Sequence, residues 1–343
     1  MAHFENTVLL NALSKLQDPA NKDTRAPAYG VTRAFNDRKK NVILNYDEFA
    51  KQDAEASVRT MQIDYLGRDT ETVNSTRAAT LTGAYGTSTR DSLTWVTYSR
   101  EFTLTDGNMR NNTLGPQMLA NQIKNARLDI GEEVEDDGIT KLEAFRNPCD
   151  VDSPHSVWDD SGYVNQIANA DEDRYLNIMD TETKMRNYNG NLQIINYGTL
   201  NELFNWQAEQ GVGNSSNLQF QYGNKMFYTS NNITNPSDYI GVSYVVEEDS
   251  IALVDWIPAK NREGLEHDNM SFTAIADPFG IFGPMALAVQ QTVADTSGNG
   301  EGSAAIGSSQ DAVWMYELSI DVAYYIPTLT TGKLVNKYGW LTS

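Results

Sequence analysis

The sequence is poor in the residues on which metal centres and covalent cross-links depend. It contains a single cysteine, Cys149, which excludes an internal disulfide framework and a cysteine-rich zinc site. Its three histidines, His3, His155 and His267, are far apart and have neither the HxxxH nor the HExxH spacing of a zinc-binding helix. Scattered histidines of this kind are typical of surfaces and loops. We therefore expect no metal or cofactor.

Long apolar runs are also absent. The longest, residues 280–289, is too short to span a bilayer and contains Pro284. The first residues lack the cationic segment followed by an apolar one that marks a signal peptide. We therefore expect neither a membrane partner nor a secreted protein.

Cations are scarce relative to anions. The chain has 343 residues, with 26 Lys and Arg against 46 Asp and Glu, which gives a net charge of −20 at pH 7. A protein that grips DNA or RNA needs clustered cations to release the counterions condensed on the phosphates. The charge balance therefore disfavours a nucleic-acid-binding body. Apolar residues make up 40% of the chain, which is enough for a folded core.

Motifs of the common enzyme classes are missing as well. No GxSxG elbow surrounds any serine, and the glycines of residues 298–302 are followed neither by GK[ST] nor by a helix start. Many carboxylate pairs exist among 46 acidic residues, but no pair stands out as that of a hydrolase. We expect no enzymatic activity, and a hydrolase with paired carboxylates is the weakest alternative.

One dense acidic cluster needs its own interpretation. It consists of consecutive or nearly consecutive residues on a predicted helix, namely Glu132, Glu133, Glu135, Asp136 and Asp137. Because such residues point around the circumference of a helix, they do not converge on one ion. We interpret the cluster as a solvated or interface surface, with a bound cation as the alternative.

Two segments with alternating polarity predict long strands. In residues 95–104 the apolar side chains share one face, which is interrupted only by Arg100. Near the C-terminus the apolar face runs from Trp314 to Ile326, while Glu317, Ser319 and Asp321 mark the opposite face. Each strand is therefore expected to be half-buried.

A long helix is predicted between these strands in the sequence. Pro116 suits the first helical turn, and Asn147-Pro148 ends the helix, so the predicted range is 116–146. Apolar residues recur at helical spacing, at Leu119, Ile123, Ala126, Ile130 and Val134. Gly131 and Gly138 interrupt this pattern and predict a bend or a close contact.

The sequence pattern in the middle of the chain predicts a compact α+β unit. A helix is predicted over residues 173–188, a strand over 192–197, and a second helix after the capping box of residues 199–202. A hairpin follows over residues 218–229. Two further strands, 242–246 and 250–257, are predicted to pair with each other.

Residues 51–92 contain few large apolar groups and predict a long loop or a hairpin arm that buries little surface by itself. Isolated arginines in such a segment are usually exposed to solvent. In an acidic protein they have an alternative, which is to pair with carboxylates of a neighbouring copy. The candidate intersubunit contacts are Arg59, Arg68, Arg77, Tyr85 and Arg90.

The order of these parts resembles the major capsid proteins of tailed bacteriophages with the Hong Kong ninety-seven type fold. The resemblance is carried by the segment around Arg59 to Arg90, the strand 92–104, the helix 116–146, the middle unit and the strand from Gln310. It implies an α+β fold with an N-terminal arm, an extended loop (the E-loop), a spine helix, a peripheral (P) domain and an axial (A) domain. The implied ranges are 1–50 for the arm, 51–92 for the extended loop, 93–164 with 258–343 for the peripheral domain, and 165–257 for the axial domain.

The resemblance also implies a function. It implies a structural, non-enzymatic virion protein that assembles with itself into the hexamers and pentamers of an icosahedral capsid around double-stranded DNA, without sequence-specific DNA binding. Assembly in the host bacterial cytoplasm is implied, together with scaffolding, portal and decoration proteins as further partners. No lysine and asparagine pair can be matched to the covalent links of some relatives. Another phage structural protein, or a carbohydrate-binding adhesion module using the six tryptophans and 17 tyrosines, is the main alternative.

Overall fold

The structure is a computed structural model, and its described residues form a mixed set of helices and strands. It describes residues 12, 29–37, 39–43, 46, 62–66, 88–105, 115–147, 156–159, 161–169, 175–185, 191–197, 219–222, 225–256, 270–277, 280–295, 310–327 and 335–342. The helices in these ranges are α1 (Gly30–Asp37), α2 (Lys39–Val42), α3 (Gly115–Ala144) and α4 (Tyr175–Met185). None of them is long and apolar enough to cross a membrane.

The strands of these ranges form three sheets. They are β1 (Gln62–Leu66), β2 (Ser88–Ser92), β3 (Val96–Thr105), β4 (Val157–Asp159), β5 (Val164–Ile167), β6 (Leu192–Tyr197), β7 (Gln219–Tyr222), β8 (Lys225–Thr229), β9 (Tyr239–Glu247), β10 (Ala252–Trp256), β11 (Met270–Ile275), β12 (Met285–Asp295), β13 (Gln310–Tyr325) and β14 (Asn336–Leu341). Strands β1 and β2 form a two-stranded ladder. A wide sheet has the order β4-β5-β14-β9-β6-β8-β7.

The third sheet, here called the long sheet, is built around β13. Strand β3 pairs with β13 over residues 313–322, β12 pairs with it over residues 310–319, and β10 pairs with it over residues 321–325. Because a strand has two edges, β3 occupies one edge of β13 and β12 and β10 share the other. Strand β11 lies beyond β12. All these pairings are antiparallel, and the long strand predicted from the sequence is confirmed.

One face of the long sheet packs against the main core, and we call it the inner face. Leu318, Ile320 and Val322 of β13 are buried there, as the alternating pattern predicts. The opposite, outer face differs from the half-exposed surface that the sequence predicts. Ser319 and Asp321 are only 2% and 4% exposed. Further along this face, Ala323 and Tyr325 pack with Ile43, Ile63 and Leu93, which precede β3 in the chain.

Helix α3 confirms the long helix predicted from the sequence, with bounds shifted by one or two residues. Its predicted apolar residues are all buried in the main core, namely Leu119, Ile123, Ala126, Ile130 and Val134. The charged interruption in β3 is explained by this packing. Arg100 on the inner side of β3 forms an ion pair with Asp129 of α3, and the hydroxyl of Tyr98 donates a hydrogen bond to Asp137.

The middle of the chain is predicted correctly in its elements but not in its pairing. Helix α4, strand β6 and the β7–β8 hairpin lie where the sequence predicts them. The predicted pairing of residues 242–246 with 250–257 is wrong, because β9 pairs with β6 and β14 whereas β10 pairs with β13. Periodicity identifies each strand but not its partner. The helix predicted after residue 199 lies outside the described residues.

Sheet membership also crosses the predicted domain ranges. Strand β14 belongs to the range predicted as peripheral, yet it lies in the wide sheet between β5 and β9. Strand β10 belongs to the range predicted as axial, yet it lies in the long sheet. The division into peripheral and axial domains stays a prediction.

Helix α1, which belongs to the range that the resemblance assigns to the N-terminal arm, lies on the body of the protein. Val31, Ala34 and Phe35 of α1 are fully buried in the main core. The ring of Phe35 meets the edge of Tyr324 of β13 at a centroid distance of 4.8 Å. The amphipathic residues of this segment therefore bury their apolar side within their own chain.

Candidate assembly surface

The predicted intersubunit residues are only partly placed by the structure. Arg59, Arg68, Arg77 and Tyr85 lie outside the described residues. Arg90 is an exposed residue of β2 and lies directly opposite Asp64 of β1 in the ladder. Arg90 therefore lies in a ladder of its own chain, and the intersubunit role of the five residues stays a prediction.

The β1–β2 ladder confirms a hairpin arm at the base of the extended loop. Its register runs from Gln62 opposite Ser92 to Leu66 opposite Ser88, and residues 67–87 connect the two strands. Ile63 of β1 and Leu93 after β2 are 2% and 9% exposed. They pack in a second, smaller core against the outer face of the long sheet.

This second core covers one end of that outer face. Its members from the long sheet are Ala252, Val254, Ala323 and Tyr325. Ile43, which follows α2, and Ile63 of β1 pack with these four residues. The beginning of the extended loop is thus attached to its own chain by a small apolar contact.

The other end of the same face has no comparable apolar cover among the residues that the structure describes. A shallow groove runs there across β12, β13 and β3, and its outward side chains are Ala288, Gln290, Met315, Glu317, Glu101 and Thr103. The register places Ala288, Glu317 and Glu101 side by side in one row, and Gln290, Met315 and Thr103 in the next. We call these six residues the open half of the outer face.

The open half contains two carboxylates at directly facing positions. Glu317 of β13 pairs in register with Glu101 of β3. Facing side chains on neighbouring antiparallel strands are about 5 Å apart at Cβ, and like charges at such positions destabilise the sheet. No hydrogen bond or ion pair to either carboxylate is formed within the part of the chain that the structure describes. The sequence alone could not reveal this pair, because it depends on the strand register.

A third feature is the polar joint that attaches α1 to α3. The carboxylate of Glu135 accepts hydrogen bonds from the backbone N–H groups of Val31 and Thr32, at 2.9 and 2.8 Å, and from the hydroxyl of Thr32 at 2.7 Å. The first N–H groups of a helix have no partner within the helix and favour a negative charge. Glu135 therefore caps α1 from a different element.

Glu135 corrects the expectation for the acidic cluster. Glu132, Glu133 and Asp136 are exposed as predicted, whereas Glu135 is fully buried. Burial raises the pKa of Glu135 above its ordinary value, and the hydrogen bonds from Ser230, Thr32 and Val31 oppose this effect. Within the described residues no group of three or more His, Cys, Asp or Glu side chains is placed to hold a metal ion.

Gly131 and Gly138 of α3 lie in this joint. A Cβ atom at Gly138 would meet Val31 at 2.8 Å and Tyr324 at 2.9 Å, and one at Gly131 would meet the Tyr29 ring at 2.8 Å. These contacts are closer than side chains allow. The predicted close contact is therefore confirmed at both glycines, and it lets α1 and β13 approach the helix.

A buried ion pair extends the joint to the long sheet. Arg127 of α3 contacts Asp277 through Nε at 2.5 Å and Nη2 at 3.1 Å. Its guanidinium lies 4.4 Å from the ring centroid of Phe282, and Asp277 also accepts the N–H groups of Ile281 and Phe282. Sequence reasoning missed Arg127, although its position four residues before Gly131 on the apolar stripe was a usable signal.

Comparisons with known proteins bear on the fold. No protein-family model matches the chain, and no curated protein matches it. Chains from Mycobacterium phage Bobi and Mycobacterium phage Cain match with TM-scores of 0.47 and 0.45 at 12% identity; they cover 95% and 96% of this chain and 94% and 97% of their own.

A chain of the capsid asymmetric unit of cyanophage A-1(L) matches with a TM-score of 0.57 at 10% identity. The match covers 95% of this chain and 97% of that chain. Because the likeness extends over nearly the whole of both chains, it concerns the complete architecture rather than one sheet. The chain is therefore similar in fold to a phage capsid protein, which confirms at the level of the fold the resemblance predicted from its sequence.

Proposed function

We propose that this chain is the major capsid protein of a tailed bacteriophage. Copies of it assemble into hexamers and pentamers that form an icosahedral shell around double-stranded DNA, in the cytoplasm of the host bacterium. The single observation that carries the proposal is the likeness in fold to the capsid chain of cyanophage A-1(L), at a TM-score of 0.57 over 95% of this chain.

The extended loop supports the proposal independently of that likeness. A two-stranded hairpin is marginally stable at best by itself in water. The β1–β2 ladder is attached to its own chain near Gln62 and Ser92, through Ile63 and Leu93. A shell of many copies supplies a neighbouring surface on which the rest of the loop is stabilised.

The charge of the chain is consistent with a container for DNA. A net charge of −20 keeps the wall from adhering to a packaged polyanion, and it makes the subunits repel one another at low ionic strength. Assembly is therefore expected to depend on salt. Scaffolding, portal and decoration proteins are the further partners that such a shell uses.

The alternative of an adhesion module has less support. A sugar-binding face would need exposed aromatic residues, but many of the described ones are buried in the main core, among them Tyr175, Tyr228, Tyr244, Tyr316 and Tyr338. We propose no enzymatic activity.

The experiment is to express the full chain, alone and with a scaffolding protein from the same source. Negative-stain electron microscopy and sedimentation velocity are then carried out over a range of salt concentrations. Hexamers, pentamers or closed shells are the expected result. A strictly monomeric protein at every concentration and salt tested, with or without the scaffold, would contradict the proposal.

A further inference from the structure

The open half of the outer face has the features of a surface that is completed by another chain. On the same face of β13, Ala323 and Tyr325 are covered by Ile43, Ile63 and Leu93. Glu317 and Met315, six to ten positions earlier on that face, line a groove with no such cover in the described residues. Among the described residues, this apolar cover therefore extends over only part of the outer face of β13.

The two carboxylates of the open half favour the binding of a positively charged group. Glu101 and Glu317 face each other in register, and their mutual repulsion is relieved when a positive group binds between them. Met315 lies in the adjoining row beside Thr103 and offers an apolar surface to an aliphatic stem. A guanidinium suits this arrangement, because it is planar, is always charged and donates several hydrogen bonds to carboxylates at once.

The chain itself contains suitable cations in one segment. Residues 51–92 carry Arg59, Arg68 and Arg77 in addition to Arg90, which faces Asp64. Two arginines of the described body next to this sheet already contact carboxylates, Arg100 with Asp129 and Arg127 with Asp277. Charge complementarity therefore favours the extended loop of a second copy as the occupant.

We infer that Glu101 and Glu317 are the docking site for an arginine from the extended loop of a second copy of this chain. Arg59, Arg68 and Arg77 are the candidates for the bound side chain. The inference builds on the proposed self-assembly and adds the acidic residues that receive the loop. Removing the two charges weakens the contact, and reversing them turns attraction into repulsion at every copy of the interface.

The test uses the full chain carrying Glu101→Arg and Glu317→Arg together. A matched control carries Glu132→Arg and Glu133→Arg, which change the net charge equally at exposed positions of α3. Circular dichroism and thermal unfolding first establish that both variants fold like the parent. Shell yield is then measured by sedimentation and electron microscopy, and we expect a loss of at least about tenfold in the first variant and near-parental yield in the control.

A second set of variants identifies the partner. Arg59→Glu, Arg68→Glu and Arg77→Glu are each introduced into the chain that carries Glu101→Arg and Glu317→Arg. Restored shells from one of them support the docking site and name its arginine. Normal shells from the double charge reversal, an equal loss in the control, or a lack of rescue by all three would overturn the inference and leave the shell proposal standing. A parent chain that never assembles would overturn both.

Discussion

Helix α1 and the β1–β2 ladder both precede the spine helix, and both belong to segments that the sequence predicts to extend away from the body. They differ in how they are attached. Helix α1 is fixed by a buried carboxylate at its N-terminus, by close glycine contacts and by apolar residues that are fully buried. The ladder is attached at its base, by Ile63 and Leu93 in the small second core. The comparison teaches that α1 is an integral part of the subunit core, whereas the ladder contacts its own chain through a small apolar cluster.

The largest expected effect comes from removing a charge from the joint beneath α1. In the variant Asp277→Ala, the fully buried guanidinium of Arg127 loses its carboxylate. Breaking a buried pair by removing one partner costs about 3–5 kcal/mol. The free energy of unfolding, measured by denaturant titration, is expected to fall by that amount. A loss below about 1 kcal/mol, the range of exposed pairs, would show that the joint is not a main anchor.

The next effect concerns the cap on α1. Glu135→Ala removes the acceptor for the N–H groups of Val31 and Thr32 and is expected to cost about 2–3 kcal/mol. Glu135→Gln keeps one acceptor oxygen and should cost less. Equal stability of the alanine variant and the parent chain would contradict the assignment of Glu135 as the cap.

The glutamine variant also tests the pH dependence. Because the pKa of Glu135 is raised in the folded chain, the folded state binds its proton more tightly than the unfolded state does. The stabilisation from this group is present below the ordinary glutamate pKa and is lost as the pH rises through the folded value. Relative to Glu135→Gln, the parent should therefore lose free energy of unfolding as the pH is raised above that ordinary value. A parent that gains stability over this range relative to the variant would contradict this sign.

A smaller effect is expected on the surface of α3. Asp129→Ala removes the partner of Arg100 in an ion pair whose side chains are 36% and 53% exposed. Such pairs contribute about 0–1 kcal/mol because water and salt screen them. Denaturant titration should therefore place this variant within about 1 kcal/mol of the parent. A loss as large as that of Asp277→Ala would mean that burial does not set the strength of these pairs.

The smallest effect on stability is expected from the extended loop. Replacing residues 67–87 by Asn-Gly would leave the β1–β2 ladder closed by a two-residue turn. Because the second core is retained, the free energy of unfolding should change by less than about 1 kcal/mol. A large loss of stability would place the loop among the elements that hold the subunit together.

The sequence predicts most of the elements and few of the relations between them. Alternating polarity identifies β13 and helical spacing identifies α3, because each element buries one continuous apolar face. Gly131 and Gly138 indicate where another segment packs closely against α3. The partners of β9 and β10, the facing of Glu101 and Glu317, and the burial of Glu135 all depend on contacts between distant segments. No local pattern encodes such contacts, so these features emerge only from the folded chain.

The most direct measurement compares shell assembly by the parent chain and by the chain in which Asn-Gly replaces residues 67–87, with the same scaffold and salt. The account predicts closed shells from the parent, and folded subunits with no shells from the shortened chain, when both are viewed by electron microscopy. Shells of normal size and yield from the shortened chain would contradict the claim that this segment is completed by a neighbouring copy.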